Sequence, residues 1–146
     1  MNTKKNSVSV LQVNFDDKKL INKIFEIRNQ VFVVEQNVDP SEEYEFEESS
    51  IHFLLFEDKT PCATARYRKT EKGIKLERFA VLKQYRKKGY GNTILKRILE
   101  EIKNNEYVIY LHAQVQVVDF YKKQGFIKKG ERFLEAGIQH YKMIYN

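Results

Sequence analysis

Gln84-Tyr85-Arg86-Lys87-Lys88-Gly89-Tyr90-Gly91-Asn92, or QYRKKGYGN, gathers cations and glycines between an apolar strand-like run, LERFAV, and an amphipathic helix-like run. Three uses fit such a loop: a solvated basic turn, a nucleic-acid contact, or a backbone cradle for a phosphorylated ligand. A P-loop requires GxxxxGK followed by Ser or Thr, and nothing after Gly91 supplies that lysine and hydroxyl. A dinucleotide fingerprint requires a third glycine, whereas Gly91 is followed by Asn92, Thr93 and Ile94. What remains is the physics that both motifs share. Glycines let a ligand approach the main chain, consecutive amides point into one concavity, and a helix begins there with its partial positive charge facing outward. Spacing alone leaves an anion site and a plain strand-to-helix turn both open.

Downstream of the loop, Ile94, Leu95, Ile98, Leu99 and Ile102 form a one-sided stripe that predicts a helix over Asn92 to Lys103. Upstream, IHFLLFE, CATARYRK and IKLERFAV read as strands separated by the turns DKTP and TEKG. SVSVLQVNF, from Ser7 to Phe15, alternates as a first strand. Asp16 or Asp17 then caps a helix predicted from about Lys18 to Val34, with apolar residues three and four apart. DPSEEYEFEE, Asp39 to Glu48, reads as a loop or short helix. After the second long helix come YVIYLHA as a strand, VQVVDFYKKQ as a helix stopped by Gly125, and one or two strands in FIKKG and HYKMIY. The order predicts a single mixed α/β domain over residues 1–146, its core starting at about residue 7.

A chain of 146 residues, 42% hydrophobic, has apolar material for one core and no second domain. MNTKKNSVS is polar with no apolar run behind its lysines, and no stretch nears the roughly 18 apolar residues of a membrane span. The expectation is a cytoplasmic protein without a membrane partner. The single cysteine, Cys62, excludes an internal disulfide and a cysteine-based metal cluster, and reads as a buried small apolar residue. No histidine or carboxylate spacing suggests a metal. The net charge of +6 fits an anionic partner, but Asp39 to Glu48 carries carboxylates and no cation, while lysines gather at Lys83–Lys88 and at Lys122, Lys123, Lys128 and Lys129. A nucleic-acid binder presents a broader basic face. The pattern reads instead as one site for an anion and another that favours a cation.

RKKGYG, Arg86 to Gly91, matches the R/Q-x-x-G-x-G/A signature of the GNAT acyl-CoA N-acyltransferases, after a strand and opening a helix as in that family. AQVQVVDFYKKQGF, Ala113 to Phe126, resembles the family's second coenzyme segment. RNQVFVVEQN and EAGIQHYKM resemble its ElaA-like branch. The resemblance covers nearly the whole chain. It implies the GNAT fold: a mixed, mostly antiparallel sheet flanked by helices, whose parallel central strands, here LERFAV and YVIYLHA, splay apart around acetyl-CoA. It further implies that the main chain of Phe79, Ala80 and Val81 pairs with the pantetheine arm, with an amide near Val81 polarising the thioester carbonyl. Amides from Arg86 through Lys87, Lys88, Gly89, Tyr90 and Gly91 to Asn92 would hold the pyrophosphate, and Gln114 would bond the pantetheine amides. For the Lys87 and Lys88 side chains, phosphate contact and a plain solvated surface both stay open.

The implied reaction moves an acetyl group to a primary amine, on a small molecule or a peptide, by direct attack. An alkylammonium must first lose a proton, and a thiolate leaves more readily if protonated. Tyr121 matches the family's general acid toward sulfur, with a coenzyme-packing aromatic as the alternative. Glu77, on an alternating strand, shares a face with Phe79 and Val81, so it is the expected base; a solvated strand residue is the other reading. His112 reads as a substrate-orienting or proton-relaying residue, or as a structural one. His140 lies in the segment that lines the acceptor side in ElaA-like relatives. In the acidic run, Glu42 and Glu43, with Glu45, Glu47 and Glu48, are expected to attract a cationic amine, against the reading of a solvated loop. Dimerisation is common among relatives, so a homodimer stays open. The rivals are a non-catalytic acyl-CoA-binding or sensing module and a nucleic-acid-binding protein.

Overall fold

In the computed structural model, which describes residues 7–146, seven strands form one sheet in the order β1-β2-β3-β4-β5-β7-β6. Residues 1–6, on which the expectation of no leader segment partly rests, lie outside the described residues. β1 (Val8–Val13), β2 (Ile51–Glu57), β3 (Thr60–Thr70) and β4 (Gly73–Val81) are antiparallel neighbours. β5 (Ile109–Gln114) lies parallel to β4, and the hairpin of β6 (Phe126–Glu135) and β7 (Ile138–Tyr145) places β7 against β5.

Helices cover both faces. α1 (Lys18–Arg28) is capped by the Asp17 carboxylate, which accepts from the Leu20 amide, and it buries Ile21, Ile24 and Ile27 against Leu54 and Ala80. The helix predicted to reach Val34 instead widens after Arg28 into a π-helical segment, Asn29–Glu35, which keeps Val31 and Phe32 buried. The short α2 (Pro40–Glu43) begins at Asp39, whose side chain accepts from the Ser41 amide. On the opposite face α3 (Tyr90–Ile102) buries Ile94, Leu95, Ile98 and Leu99 against Phe53, Leu55, Leu76 and Leu111. α4 (Val118–Lys123) follows a 3-10 turn and packs on the same side through Val118 and Tyr121. Each buried aliphatic side chain contributes about 1.5–3 kcal/mol. Cys62 is one of these core residues, its thiol bonded to the Thr60 carbonyl at 3.1 Å. Among the described residues no helix is long and apolar enough to cross a membrane.

The centre of the sheet carries the feature that matters for function. β4 and β5 pair only at Ile74–Ile109, Lys75–Tyr110 and Leu76–Leu111, although they continue to Val81 and Gln114. Beyond Leu76, β4 is bulged. The β3–β4 register passes from Arg66–Glu77 to Thr64–Ala80, so Arg78 and Phe79 both stand opposite Ala65, and Arg78 adopts a left-handed φ of 58°. The extra residue turns the end of β4 away from β5 and opens a V between them. It also reverses the alternation. Phe79 and Val81 pack with Leu76 on the α3 side, and Ala80 packs on the α1 side. Glu77 therefore does not share a face with Phe79 and Val81, which corrects the expectation drawn from an unbroken strand.

Candidate active site

The V opens into a cleft of about 740 Å³ whose walls include Phe79, Val81, Ala113, Gln114 and Tyr121. At its α3 end lies a smaller hollow of about 280 Å³, lined by Val81, Arg86, Lys87, Gly89, Gly91 and Phe120. Lys87 (φ 67°) and Gly89 (φ 79°) are both left-handed, and their alternation with ordinary residues curls the loop around the hollow. Thr93 N to Gly89 O, at 3.0 Å, closes the first turn of α3. The amides of Tyr90, Gly91 and Asn92 precede it and are the orphan donors of a helix N-terminus. A Cβ added to Gly89 would meet nothing within 4 Å, so the concavity is open at that point. The Asn92 Oδ1 is buried without a hydrogen-bond partner among the described residues.

Two of the loop's three cations are tied to carboxylates. Arg86 donates through Nε to the Val81 carbonyl (2.9 Å) and through Nη2 to Glu35 (2.8 Å), tying the loop to β4 and to the π-helical segment. The Lys88 ammonium lies 2.9 Å from Glu57, which also accepts from the Tyr90 hydroxyl; that bond, with some burial, pushes the Tyr90 pKa up to about 12. Lys87 is exposed. Tyr121 stands in the cleft wall, edge-on to Phe79 (5.8 Å) and Phe126 (5.9 Å), and its hydroxyl has no hydrogen bond among the described residues. Burial pushes its pKa upward, so the phenol keeps its proton.

On the α1 side, Glu77 is enclosed by cations. Its carboxylate accepts from Arg66 Nη2 (3.1 Å) and Arg68 Nε (2.6 Å), and lies 3.3 Å from the Lys75 ammonium. Burial alone would raise its pKa, but Arg66, the Arg68 hydrogen bond, Lys75 and Arg78 pull it down to about 2. A carboxylate so stabilised is a poor proton acceptor, and the geometry argues against Glu77 as the base. The acidic run divides likewise. Glu43 is buried on Arg28 (2.7 Å) and Arg78 (3.3 Å), and Glu47 bridges Arg28 (2.8 Å) and Arg66 (2.7 Å). Both carboxylates hold the 39–50 segment to α1 and the sheet; Glu43 also lines the cleft, but its pairing with Arg28 and Arg78 argues against the expectation that it attracts a cationic amine. Glu42 and Glu45 remain exposed on the cleft rim, and Glu48 is exposed outside its lining. Gln114 donates to Gln36 of the α1–α2 connection at 2.9 Å and accepts from Gln116 at 2.6 Å.

The same face brings His112 of β5, His140 of β7 and Glu135 of β6 together. His112 Nδ1 is 3.0 Å from Glu135 Oε1, and His140 Nε2 is 3.7 Å from Glu135 Oε2. His140 Nδ1 donates to the Ile138 carbonyl (2.7 Å), and Phe133 packs against both imidazoles. Burial would raise the Glu135 pKa, but the His112 hydrogen bond and the Lys75, His112 and His140 charges hold it below the usual carboxylate range. Sequence reasoning missed Glu135. The signal was the two-residue turn Ala136-Gly137, with φ of 52° and 75°, which fixes the register that pairs Phe133 with His140 and Glu135 with Ile138. Among the described residues no group of three or more His, Cys, Asp or Glu side chains could hold a metal ion.

Residues 13–146 match the family model described as the acetyltransferase (GNAT) domain. The chain belongs to the GNAT acetyltransferase family. This GNAT chain is 39% identical over 123 residues to the uncharacterized N-acetyltransferase YjcF of Bacillus subtilis, covering 82% of the chain and 88% of that protein. Its fold is similar to that of an acyl-CoA N-acyltransferase from Pseudomonas aeruginosa, with a TM-score of 0.84 and 25% identity over 96% of this chain and 100% of the other. It is equally similar in fold to Escherichia coli ElaA, with a TM-score of 0.85 and 23% identity over the same shares. The seven-stranded sheet with its open β4–β5 junction is the GNAT architecture.

Proposed function

We propose that this chain transfers an acetyl group from acetyl-CoA directly to a primary amine. The observation that carries the reading is the bulged, splayed β4–β5 junction leading at one end into a hollow rimmed by main-chain amides. The donor set fits a diphosphate: left-handed residues, the first amides of α3 and its positive N-terminus converge on one concavity. Leu82 N bonds across to Cys62 O of β3, so by strand alternation Phe79 and Val81 turn their peptide groups toward the opening. There they can pair with the amides of a pantetheine arm, and the Val81 N–H can polarise a thioester carbonyl. Tyr121, protonated and facing the cleft, supplies the proton to the departing sulfur. Cys62 is a core residue outside the cleft lining, so the amine attacks the thioester without an acyl-cysteine stage. Exposed Glu42 and Glu45 on the rim favour a cationic acceptor.

A panel of polyamines, amino sugars and peptide N-termini, incubated with acetyl-CoA and followed by release of free thiol, tests the reading. Steady turnover with at least one amine is the expected result. Binding of acetyl-CoA without thiol release across the panel would leave an acyl-CoA-binding module in place of an enzyme.

A further inference from the structure

We propose that His112 is the base that takes the proton from the acceptor ammonium, and that Glu135 is the residue that positions it. The inference rests on the acetyl-transfer reading and assigns its missing proton acceptor. His112 is the first β5 residue beyond the last β4 partner, Leu111, so it stands where the two strands begin to part. Its side chain is 23% exposed and lines the cleft. The Glu135 carboxylate has no proton to give, so the 3.0 Å contact is donated by His112 Nδ1–H. That hydrogen bond fixes the tautomer and leaves Nε2 as a lone pair. Nε2 has no partner among the described residues, and the edge of Phe133, at 4.9 Å, holds the ring in place.

The other titratable groups of this face are engaged. Glu77 is surrounded by Arg66, Arg68 and Lys75. His140 donates Nδ1–H to Ile138 O and turns Nε2 toward Glu135. Lys75 sits between Glu77 (3.3 Å) and Glu135 (3.9 Å), and Lys142 lies over the Tyr110 ring at 5.1 Å. Glu43 is paired with Arg28 and Arg78, and Glu42 and Glu45 lie out on the exposed rim, so His112 is the group at the parting of β4 and β5 with an accepting atom turned to the cleft.

In the reaction the ammonium gives one proton to His112 Nε2, and the imidazolium is stabilised by Glu135. The freed nitrogen lone pair forms the C–N bond as the C–S bond breaks. Sulfur leaves with the bonding pair and takes a proton from Tyr121. The nitrogen loses a second proton, which restores Tyr121 through water, and His112 passes its own to solvent. The sum is ammonium plus acetyl-CoA giving acetamide, free thiol and one proton.

Two readouts test the proposal. Imidazole nitrogen NMR on the ligand-free chain should show His112 as the Nδ1–H tautomer, kept in Glu135→Gln, whose amide oxygen still accepts, and mixed in Glu135→Ala. With an amine that turns over, His112→Gln should lower kcat by about 10²–10³. It should also flatten the acid limb of the kcat/KM profile and leave acetyl-CoA affinity within about twofold of wild type. Glu135→Gln should lower kcat less than Glu135→Ala does, because its amide oxygen still holds Nδ1–H. An Nε2–H tautomer in the wild-type chain, or a His112→Gln variant with kcat within about threefold and an unaltered acid limb, would overturn the assignment alone. A wild-type chain that binds acetyl-CoA and acetylates no amine would overturn the base role and the transfer reading together.

Discussion

On the α3 side of the cleft the polar groups at the surface are main-chain amides of one short loop, whereas on the α1 side they are side chains drawn from four strands. The first set comes from contiguous residues, Lys87 to Asn92, and depends on two left-handed conformations and a helix start. The second, Glu77, His112, Glu135 and His140, is assembled by one bulge in β4 and by the register of the β6–β7 hairpin. A backbone-built site tolerates most side-chain changes and fails when its φ angles are disturbed. A side-chain-built site fails when one partner of an ion pair is lost.

The largest effect expected from this difference is on stability. Glu77→Gln leaves Arg66, 1% exposed, and Arg68 without their carboxylate, and should cost about 3–5 kcal/mol in urea unfolding at neutral pH. The pH dependence has a definite sign. The folded-state pKa of Glu77, about 2, lies below the ordinary glutamate value, so its contribution is complete above that value and is lost as pH falls toward about 2. The wild-type chain should therefore lose stability between about pH 4.3 and about 2 more steeply than Glu77→Gln. Equal acid slopes would mean that the cation cage does little for the fold.

Next in size, Tyr121→Phe should lower kcat by about 10² or more. Its melting temperature should stay close to wild type, because the hydroxyl makes no protein hydrogen bond that the change would break. Retained kcat would reduce Tyr121 to a packing aromatic. The smallest effect belongs to the rim. Glu42→Gln with Glu45→Gln should raise KM for a cationic amine about two- to fivefold at low salt, and the difference should vanish at high salt. An unchanged KM at low salt would remove the rim carboxylates from acceptor recognition.

Most of the fold was legible because periodicity is local. The Ile94–Ile102 stripe, the alternating strands and the cap at Asp16 or Asp17, which the structure places at Asp17, were each carried by a few consecutive residues. The helix expected through Val34 became π-helical after Arg28, which apolar spacing does not distinguish from a continued α-helix. The curled backbone of the Arg86–Asn92 loop was legible because glycines announce it. The acceptor half was less so. Glu77 was assigned to the wrong face because alternation was carried through Arg78, a position whose positive φ no glycine signals. Glu43 was read as an amine-attracting or solvated carboxylate because its partners, Arg28 and Arg78, are distant in sequence. Glu135 was overlooked because only the turn at Ala136-Gly137 and the pairing of β7 with both β5 and β6 bring it to His112.

The central claim is that main-chain geometry, and not the cations that dominate the loop in sequence, holds the coenzyme. Calorimetric titration of acetyl-CoA into Gly89→Val and Lys88→Ala, each folded at the temperature used, tests it directly. Valine at φ 79° is strained by about 1–3 kcal/mol, and relieving that strain pulls the loop amides out of their shared concavity, so affinity should fall tenfold or more. Lys88 is already paired with Glu57, so its removal should change affinity less than about threefold. Loss of affinity in Lys88→Ala exceeding that in Gly89→Val would contradict the account.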